Sequence, residues 1–507
     1  MASTTSSRPA TPSSPAARPW AALVVLMLPV LLIAVDNTVL SFAVPAISES
    51  LRPGGTELLW IVDAYPLVLA GLLVPMGSLG DRVGRRRLLL IGATGFAVVS
   101  AVAAFAPTAP LLIAARAALG FFGAMLMPAT LSLIRNIFTD PVQRRTAIAI
   151  WAAGFSGGAA LGPIVGGFLL EHYWWGSVFL LAVPVLVPLL VLGPVLVPES
   201  RDPEPGPVDP VSIVLSLGAM VPLVYGIKRI AEAGPTTTAV LAVVLALALG
   251  YAFVRRQLRR PVPLLDVRLF TNPVFSGSVA ANLLSVFSLV GFLFFVSQHL
   301  QLVSGRTPME AGLVLVPGLV VTVVAGLAVV RVVRHVRPAR VVAGGLLLNA
   351  VGYALILASG STGSDVGLLV AFMVLGAGVG AAETISNDLI LSSVPAAKAG
   401  AASAVSETAY ELGAVLGTAV LGSILTAVYR TNVVVPDAVT GDDAIAARET
   451  LGGATEVASG LPDSVAASLL ESARHAFDSG VVITSAIGVV LMVVAAVIAL
   501  RALRSAE

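Results

Sequence analysis

Fourteen stretches of about twenty predominantly apolar residues run through this chain, and no soluble core could absorb them. They fall near residues 20–46, 57–79, 87–106, 110–134, 146–170, 174–197, 211–229, 236–254, 274–298, 309–330, 341–359, 366–392, 401–429 and 479–500. Each can cross the ~30 Å hydrocarbon core of a bilayer as a helix rising about 1.5 Å per residue. The chain is 57% hydrophobic and 11% charged, where an ordinary soluble domain is roughly 25% charged. The expected class is an all-α polytopic membrane protein.

The basic residues orient it. Arg82, Arg85, Arg86, Arg87, Arg135, Arg144 and Arg145 fall on the side of the termini, as do the Arg255–Arg260 and Arg331–Arg340 clusters and Arg268. The other side carries Arg52, Lys228, Arg229, Arg306 and three more in the 430–478 segment. The positive-inside rule then places both termini in the cytoplasm. Residues 1–19, rich in Ser, Thr and Pro, read as a disordered tail. Residues 199–210, ESRDPEPGPVDP, read as a cytoplasmic linker. Residues 430–478 read as a long extracellular loop, either a solvated linker or a short helical hairpin over the outer mouth.

Several function classes drop out. The chain has no cysteine, which excludes thiolate metal sites and cysteine nucleophiles. The basic residues sit in short loops between apolar runs and form no stripe for nucleic acid. Gly154-Phe155-Ser156-Gly157-Gly158 matches a hydrolase elbow only in letters, because that motif needs a strand–turn–helix context. The four histidines lie in loops or at span ends, so no metal cluster or nucleophile–base pair is indicated. No GxxxxGK[ST] run exists to cradle a nucleotide.

Two glycine-rich patterns remain. GSLGDRVGRRR joins the second and third spans, with Gly77, Gly80 and Gly84 around Asp81 and with Arg82 and Arg85 beside it. Such an acid at a helix end can pair with a neighbouring arginine or face a helix N-terminus. GAALGPIVGG on the fifth span sets Gly158, Gly162, Gly166 and Gly167 at helical spacing around Pro163. Small residues there admit a close neighbour, and the proline bends the helix.

The charged residues inside the spans are the chemical signal. A charge at mid-bilayer costs at least ~2.5 kcal/mol, so each needs a partner or a wet cavity. Asp36 lies roughly 24 Å along the first span, and Asp63 and Arg116 roughly 9 Å below the outer surface. All three fall in the outer half, where either acid can reach the arginine. Glu407 and Glu411, in AVSETAYELG, share one helix face. Two such carboxylates titrate as a unit, and a cation can compete with the proton for their charge. Glu383, Tyr410 and Tyr65 are secondary candidates; the tyrosines, like Trp60, Phe121, Phe292, Phe294 and Phe295, offer faces to a flat cation.

These motifs together resemble the major facilitator superfamily. GSLGDRVGRRR is similar to its loop signature, GAALGPIVGG to its antiporter signature, and Arg116 in RAALGFFGAMLMP to its fourth-helix arginine motif. AVDNTVLSFAVPAI, LLWIVDAYPLVLAG and AVSETAYELG resemble the fourteen-helix drug:proton antiporters that export quaternary ammonium compounds. The resemblance implies an N-terminal six-helix bundle over 20–198 and two extra membrane helices over 211–254. It implies a cytoplasmic loop at 255–273 and a C-terminal six-helix bundle over 274–503. It also implies a monomer in a bacterial inner membrane that exports small amphipathic cations against protons by alternating access. No cofactor is needed beyond the proton-motive force. Asp36, Asp63, Glu407, Glu411 and Arg116 would serve cation recognition and proton coupling. Gly77, Asp81, Arg82, Gly84 and Arg85, with Gly158, Gly162, Pro163, Gly166 and Gly167, would serve conformational gating.

The chain departs from relatives in two places that bear on divalent cations. PGLVVTVVAG, from Pro317, lacks an acid, and Ser406-Glu407 stands where relatives can carry adjacent acids. Two other functions fit the same residues: export of an endogenous natural product or lipid-like metabolite, and a non-transporting receptor or scaffold.

Overall fold

A computed structural model describes residues 17–201, 209–261, 263–359, 365–394 and 399–505. Residues 1–16 of the expected tail and 202–208 of the expected linker lie outside the described residues. The first helix, α1, is Ala17–Leu51, so it takes up the last three residues assigned to the tail. There follow α2 (Gly55–Val83), α3 (Arg85–Ala104), α4 (Ala109–Ile137) and α5 (Pro141–His172). The sixth span is broken into α6 (Ser177–Leu180) and α7 (Ala182–Leu196). The inserted pair is α8 (Pro210–Ala233) and α9 (Thr237–Arg259). The second half begins with α10 (Pro273–Gln298), α11 (Pro308–Val332), α12 (Pro338–Ser359) and α13 (Asp365–Ser392). The thirteenth span is α14 (Ala399–Gly417), a single π-helical turn at Thr418–Gly422, and α15 (Ser423–Asn432). Two short helices, α16 (Gly441–Glu449) and α17 (Leu451–Ser459), precede the last helix, α18 (Asp463–Ala502). Among the described residues, thirteen segments are long and apolar enough to cross a membrane, and the 32-residue α5 makes the fourteenth membrane-length element. There is no strand among the described residues.

Each half has its own core, and that of the second half also takes in Phe42, Val44, Leu58 and Leu59 of α1 and α2. Leu26, Ile61, Leu89, Leu112, Leu133 and Leu186 are buried in the first. Phe292, Tyr353, Phe372, Leu375 and Met492 are buried in the second, where the Phe292 and Phe372 rings stack at 5.1 Å. Phe292, Phe294 and Phe295 are therefore core residues, and Phe121 is 41% exposed on the outside of its bundle; none of these four reaches the centre as a cation platform.

The inserted helices sit at the periphery. Only 17% of the apolar stretch of α8 and 11% of that of α9 is buried, against 72% in α1. Their cytoplasmic ends are tied by polar contacts. Asp209 caps α8 by accepting from the Ser212 amide and meets Arg256 at 2.8 Å and Arg260 at 3.3 Å. Gln257 donates to the Ser212 hydroxyl at 2.7 Å. The Arg256 hydrogen bond holds the Asp209 carboxyl well below the usual carboxylate range.

The 430–478 segment is largely helical. α18 is 40 residues long, roughly 60 Å of helix, so its first turns stand clear of a bilayer. α16 and α17 lie on the outer mouth. Tyr429 donates to the Ala447 carbonyl at 2.8 Å and the Thr450 carbonyl at 3.2 Å. The cap then reaches across to the first half. Arg52 pairs with Asp443 at 2.9 Å and with Glu456. Glu449 pairs with Arg430 and accepts from the Gly55 amide at 2.8 Å. Arg52 takes φ 45°, an uncommon backbone for a side-chain-bearing residue, where it joins α1 to this cap.

Candidate functional site

Among the described residues, two charged pairs, a histidine–aspartate contact and a row of acids define the interior. Asp36 of α1 meets Arg116 of α4 at 2.9 Å, with both side chains almost fully buried. Arg116 also donates to the Ile61 carbonyl at 3.2 Å and lies 4.6 Å over the Tyr65 ring. Of the two partners within its reach, Arg116 thus takes Asp36. Asp63 of α2 takes a different cation, the Lys228 ammonium of α8, at 2.8 Å. Neither side chain of that pair has any exposed surface. This corrects the assignment of Lys228 to an outer loop: the helix continues past it to Ala233 and turns it inward. The Trp60 ring lies under the ammonium at 4.1 Å, so the cation its face meets is Lys228. The histidine–aspartate contact, His299 with Asp478 at 3.1 Å, lies within the second half.

The α14 acids have no such cation. Among the described residues, no basic side chain pairs with Glu407 or Glu411. Glu411 is buried, and one of its carboxylate oxygens has no hydrogen-bond partner. Its charged neighbours are Glu407 and Asp36. Glu407 in turn neighbours Glu383, and all three glutamates lie near Tyr410. A row of carboxylates therefore runs from Glu383 through Glu407 and Glu411 to Asp36. Beside it, Asn282 donates to the Ser406 hydroxyl at 3.1 Å, and Ser406 contacts Asn387. Asp388 is exposed near the end of α13.

A cavity of ≈ 70 Å³ lies where the halves meet, lined by Asn37, Asp63, Arg116, Tyr410 and Thr418 among others. That volume holds a few waters, whereas drug-sized ligands occupy roughly 300–1,000 Å³. A large substrate therefore needs the halves to part. On the outer side they are shut. Ser297 donates to the Ser41 carbonyl at 2.7 Å, and Gln301 to the Phe42 carbonyl at 3.2 Å.

The fifth-helix glycines serve two neighbours. A Cβ at Gly162 would stand 1.8 Å from the Thr38 hydroxyl of α1, and Gly158 and Gly166 approach the same helix. A Cβ at Gly167 would stand 2.6 Å from the Met309 Cα of α11, and one at Gly312 2.5 Å from the Pro163 carbonyl. That face thus packs α5 inside its own half on one side and seals it against the other half on the other.

The loop after α2 is fastened within its own half. Asp81 pairs with Arg85 at 2.8 Å. Glu199 accepts from the Arg86 and Arg87 amides at 3.1 and 3.2 Å. Gly84 takes φ 118°, and a Cβ there would strike the Glu199 carboxyl at 2.8 Å; no side chain could replace it without strain. Gly77 packs towards Pro128 of α4. Arg82 closes the last turn of α2. These residues are separate from the central charges.

Two helical bundles with ionisable groups at their seam make a multi-pass membrane transporter. The chain belongs to the Major Facilitator Superfamily, which it matches over residues 26–418. It is 59% identical over 490 residues to the multidrug efflux pump LfrA of Mycolicibacterium smegmatis, covering 97% of each chain. It is 38% identical to the methyl viologen resistance protein SmvA of Salmonella typhimurium, over 91% of this chain and 93% of that one. It is 33% identical to the tetracenomycin C resistance and export protein of Streptomyces glaucescens, over 95% and 91%. Among solved structures it resembles a bacterial homologue of the human lysosomal transporter Spinster, in an inward-facing, unoccupied form. That likeness has TM-score 0.66 and 16% identity, and covers 96% of this chain and 99% of that one. The chain is a multi-pass protein of a bacterial inner membrane.

Proposed function

We propose that this protein is a proton-coupled antiporter, not an enzyme, that exports amphipathic cationic drugs or dyes as a monomer. The observation that carries this reading is the row of acids from Glu383 to Asp36, whose α14 members have no basic partner among the described residues. Buried carboxylates without a cation have two ways to neutralise their charge: they take a proton or they take a cationic ligand. If each excludes the other at the same oxygens, the two fluxes are coupled in opposite directions. Proton entry supplies about 2.3 kcal/mol per charge for each 100 mV of membrane potential. Names of relatives agree: a multidrug efflux pump and a methyl viologen resistance protein. A second reading, export of an endogenous natural product through the same site, is favoured by the tetracenomycin C exporter among them.

The test is proton release or uptake in proteoliposomes under a pH gradient, across mono- and dicationic substrates. Glu411→Gln is expected to lower substrate-driven proton movement at least tenfold, and Glu407→Gln by a similar or smaller factor. Coupling at the wild-type level in both variants would remove the mechanism. Proton movement driven only by an endogenous neutral metabolite would favour the second reading.

A further inference from the structure

Lys228 is an unusual residue to find inside a bilayer protein. Its helix is mostly turned to lipid: Val211, Val214 and Val221 are at least 40% exposed. Ala233, the last residue of α8, is five positions further on, so the side chain could have snorkelled to the outer surface, as lysines near span ends do. Instead it turns inward to Asp63 and the Trp60 ring. Asp63 lines the central cavity together with Thr418 of the second half. Its carboxylate therefore stands between the cavity and the ammonium of the inserted helix.

The consequence is a count of charge. Arg116 balances Asp36, and Lys228 balances Asp63. The α14 glutamates have no such cation among the described residues; they do not line the cavity, which their helix meets at Tyr410 and Ala414. We propose that Lys228 is a specificity-determining residue: an internal cation that neutralises Asp63 and so lowers by one the positive charge the cavity would receive. The lysine acts through Asp63 and does not itself line the cavity. The inference rests on the reading that cationic substrates enter this cavity, and it gives the inserted helices a part in choosing them.

Equilibrium binding to purified protein at pH 8, with tetraphenylphosphonium as monocation and methyl viologen as dication, tests it. Lys228→Met frees a carboxylate at the cavity wall, and the ratio of dication to monocation affinity should rise at least tenfold. Lys228→Arg keeps the ratio. Asp63→Asn leaves the ammonium unopposed, so the ratio should fall at least tenfold. Asp63→Asn combined with Lys228→Met removes both charges and should return the ratio to that of the native protein. The double variant also retains a neutral, foldable pair if Lys228→Met alone fails to assemble. A ratio that does not follow the charge count, in a protein that still binds the monocation, overturns the role of Lys228. Failure of native protein to bind either probe overturns instead the reading of the cavity as a cation site.

Discussion

At the seam between them, the two halves of this molecule treat their acids in opposite ways. In the first half, each acid is matched: Asp36 by Arg116 and Asp63 by Lys228, at 2.9 and 2.8 Å. In the second, Glu407 and Glu411 are paired with no basic side chain among the described residues, and other acids and a tyrosine lie near them. A matched acid is locked, because either partner left alone becomes a buried, uncompensated charge. An unmatched acid is free to exchange what neutralises it. The lesson is a division of labour, with fixed pairs on α1, α2 and α4 forming the frame and the α14 carboxylates forming the moving part.

The sharpest way to break that contrast is to measure stability and coupling in the same variants. Asp36→Asn strands Arg116 and should cost about 3–5 kcal/mol of stability. Glu411→Gln should change stability by no more than about 1 kcal/mol while abolishing coupling. Thermal unfolding in detergent, beside proton flux in vesicles, reads both. A reversed order would mean that the α14 acids are structural.

A smaller effect separates the inserted hairpin from the frame. Asp209→Asn should destabilise α8 and α9 by about 1–2 kcal/mol, the worth of a charged cap. The acidity of Asp209 is enhanced in the folded state by Arg256. Its contribution is therefore complete above the ordinary carboxylate value of ~3.9 and is lost as pH falls through its own, lower value. The gap in melting temperature between Asp209→Asn and native protein should be constant from pH 8 to pH 5 and close only in stronger acid. A gap that closes near neutrality would place the control elsewhere.

The smallest effect is at the outer cap. Arg52→Ala removes two partly exposed pairs, to Asp443 and Glu456, each worth roughly 0.2–1 kcal/mol. Amide exchange in α16 and α17 should quicken about two- to fivefold. Unchanged exchange would show that the Tyr429 and Glu449 contacts hold the cap without Arg52.

Much of the scaffold could be read from the chain, because bilayer thickness converts apolar length directly into spans and arginine placement into sides. Depth along the helix also places Asp36, Asp63 and Arg116 in the outer half, with either acid open as the partner of the arginine. What escaped was what lies across a helix. Lys228 falls at the end of an apolar run, where linear reading hands it to a loop. Yet it lies roughly 8 Å from the outer end of α8, as Asp63 lies roughly 12 Å from that of α2, and matching those depths would have suggested the pair. The cap's course over the first half left no periodic signal, since its hold on α1 and α2 depends on single contacts such as Gly55 to Glu449. The π turn at Thr418–Gly422 is likewise unmarked by any proline.

That turn gives the thirteenth span a joint. One added residue rotates everything beyond it by about 100° relative to an unbroken α-helix. Below the joint stand Glu407 and Glu411; above it stands Tyr429, whose hydroxyl holds Ala447 and Thr450 of the cap. Rewinding the turn to regular α would swing one group or the other out of place, so carboxylate chemistry at the centre and closure at the outer face share a single crankshaft.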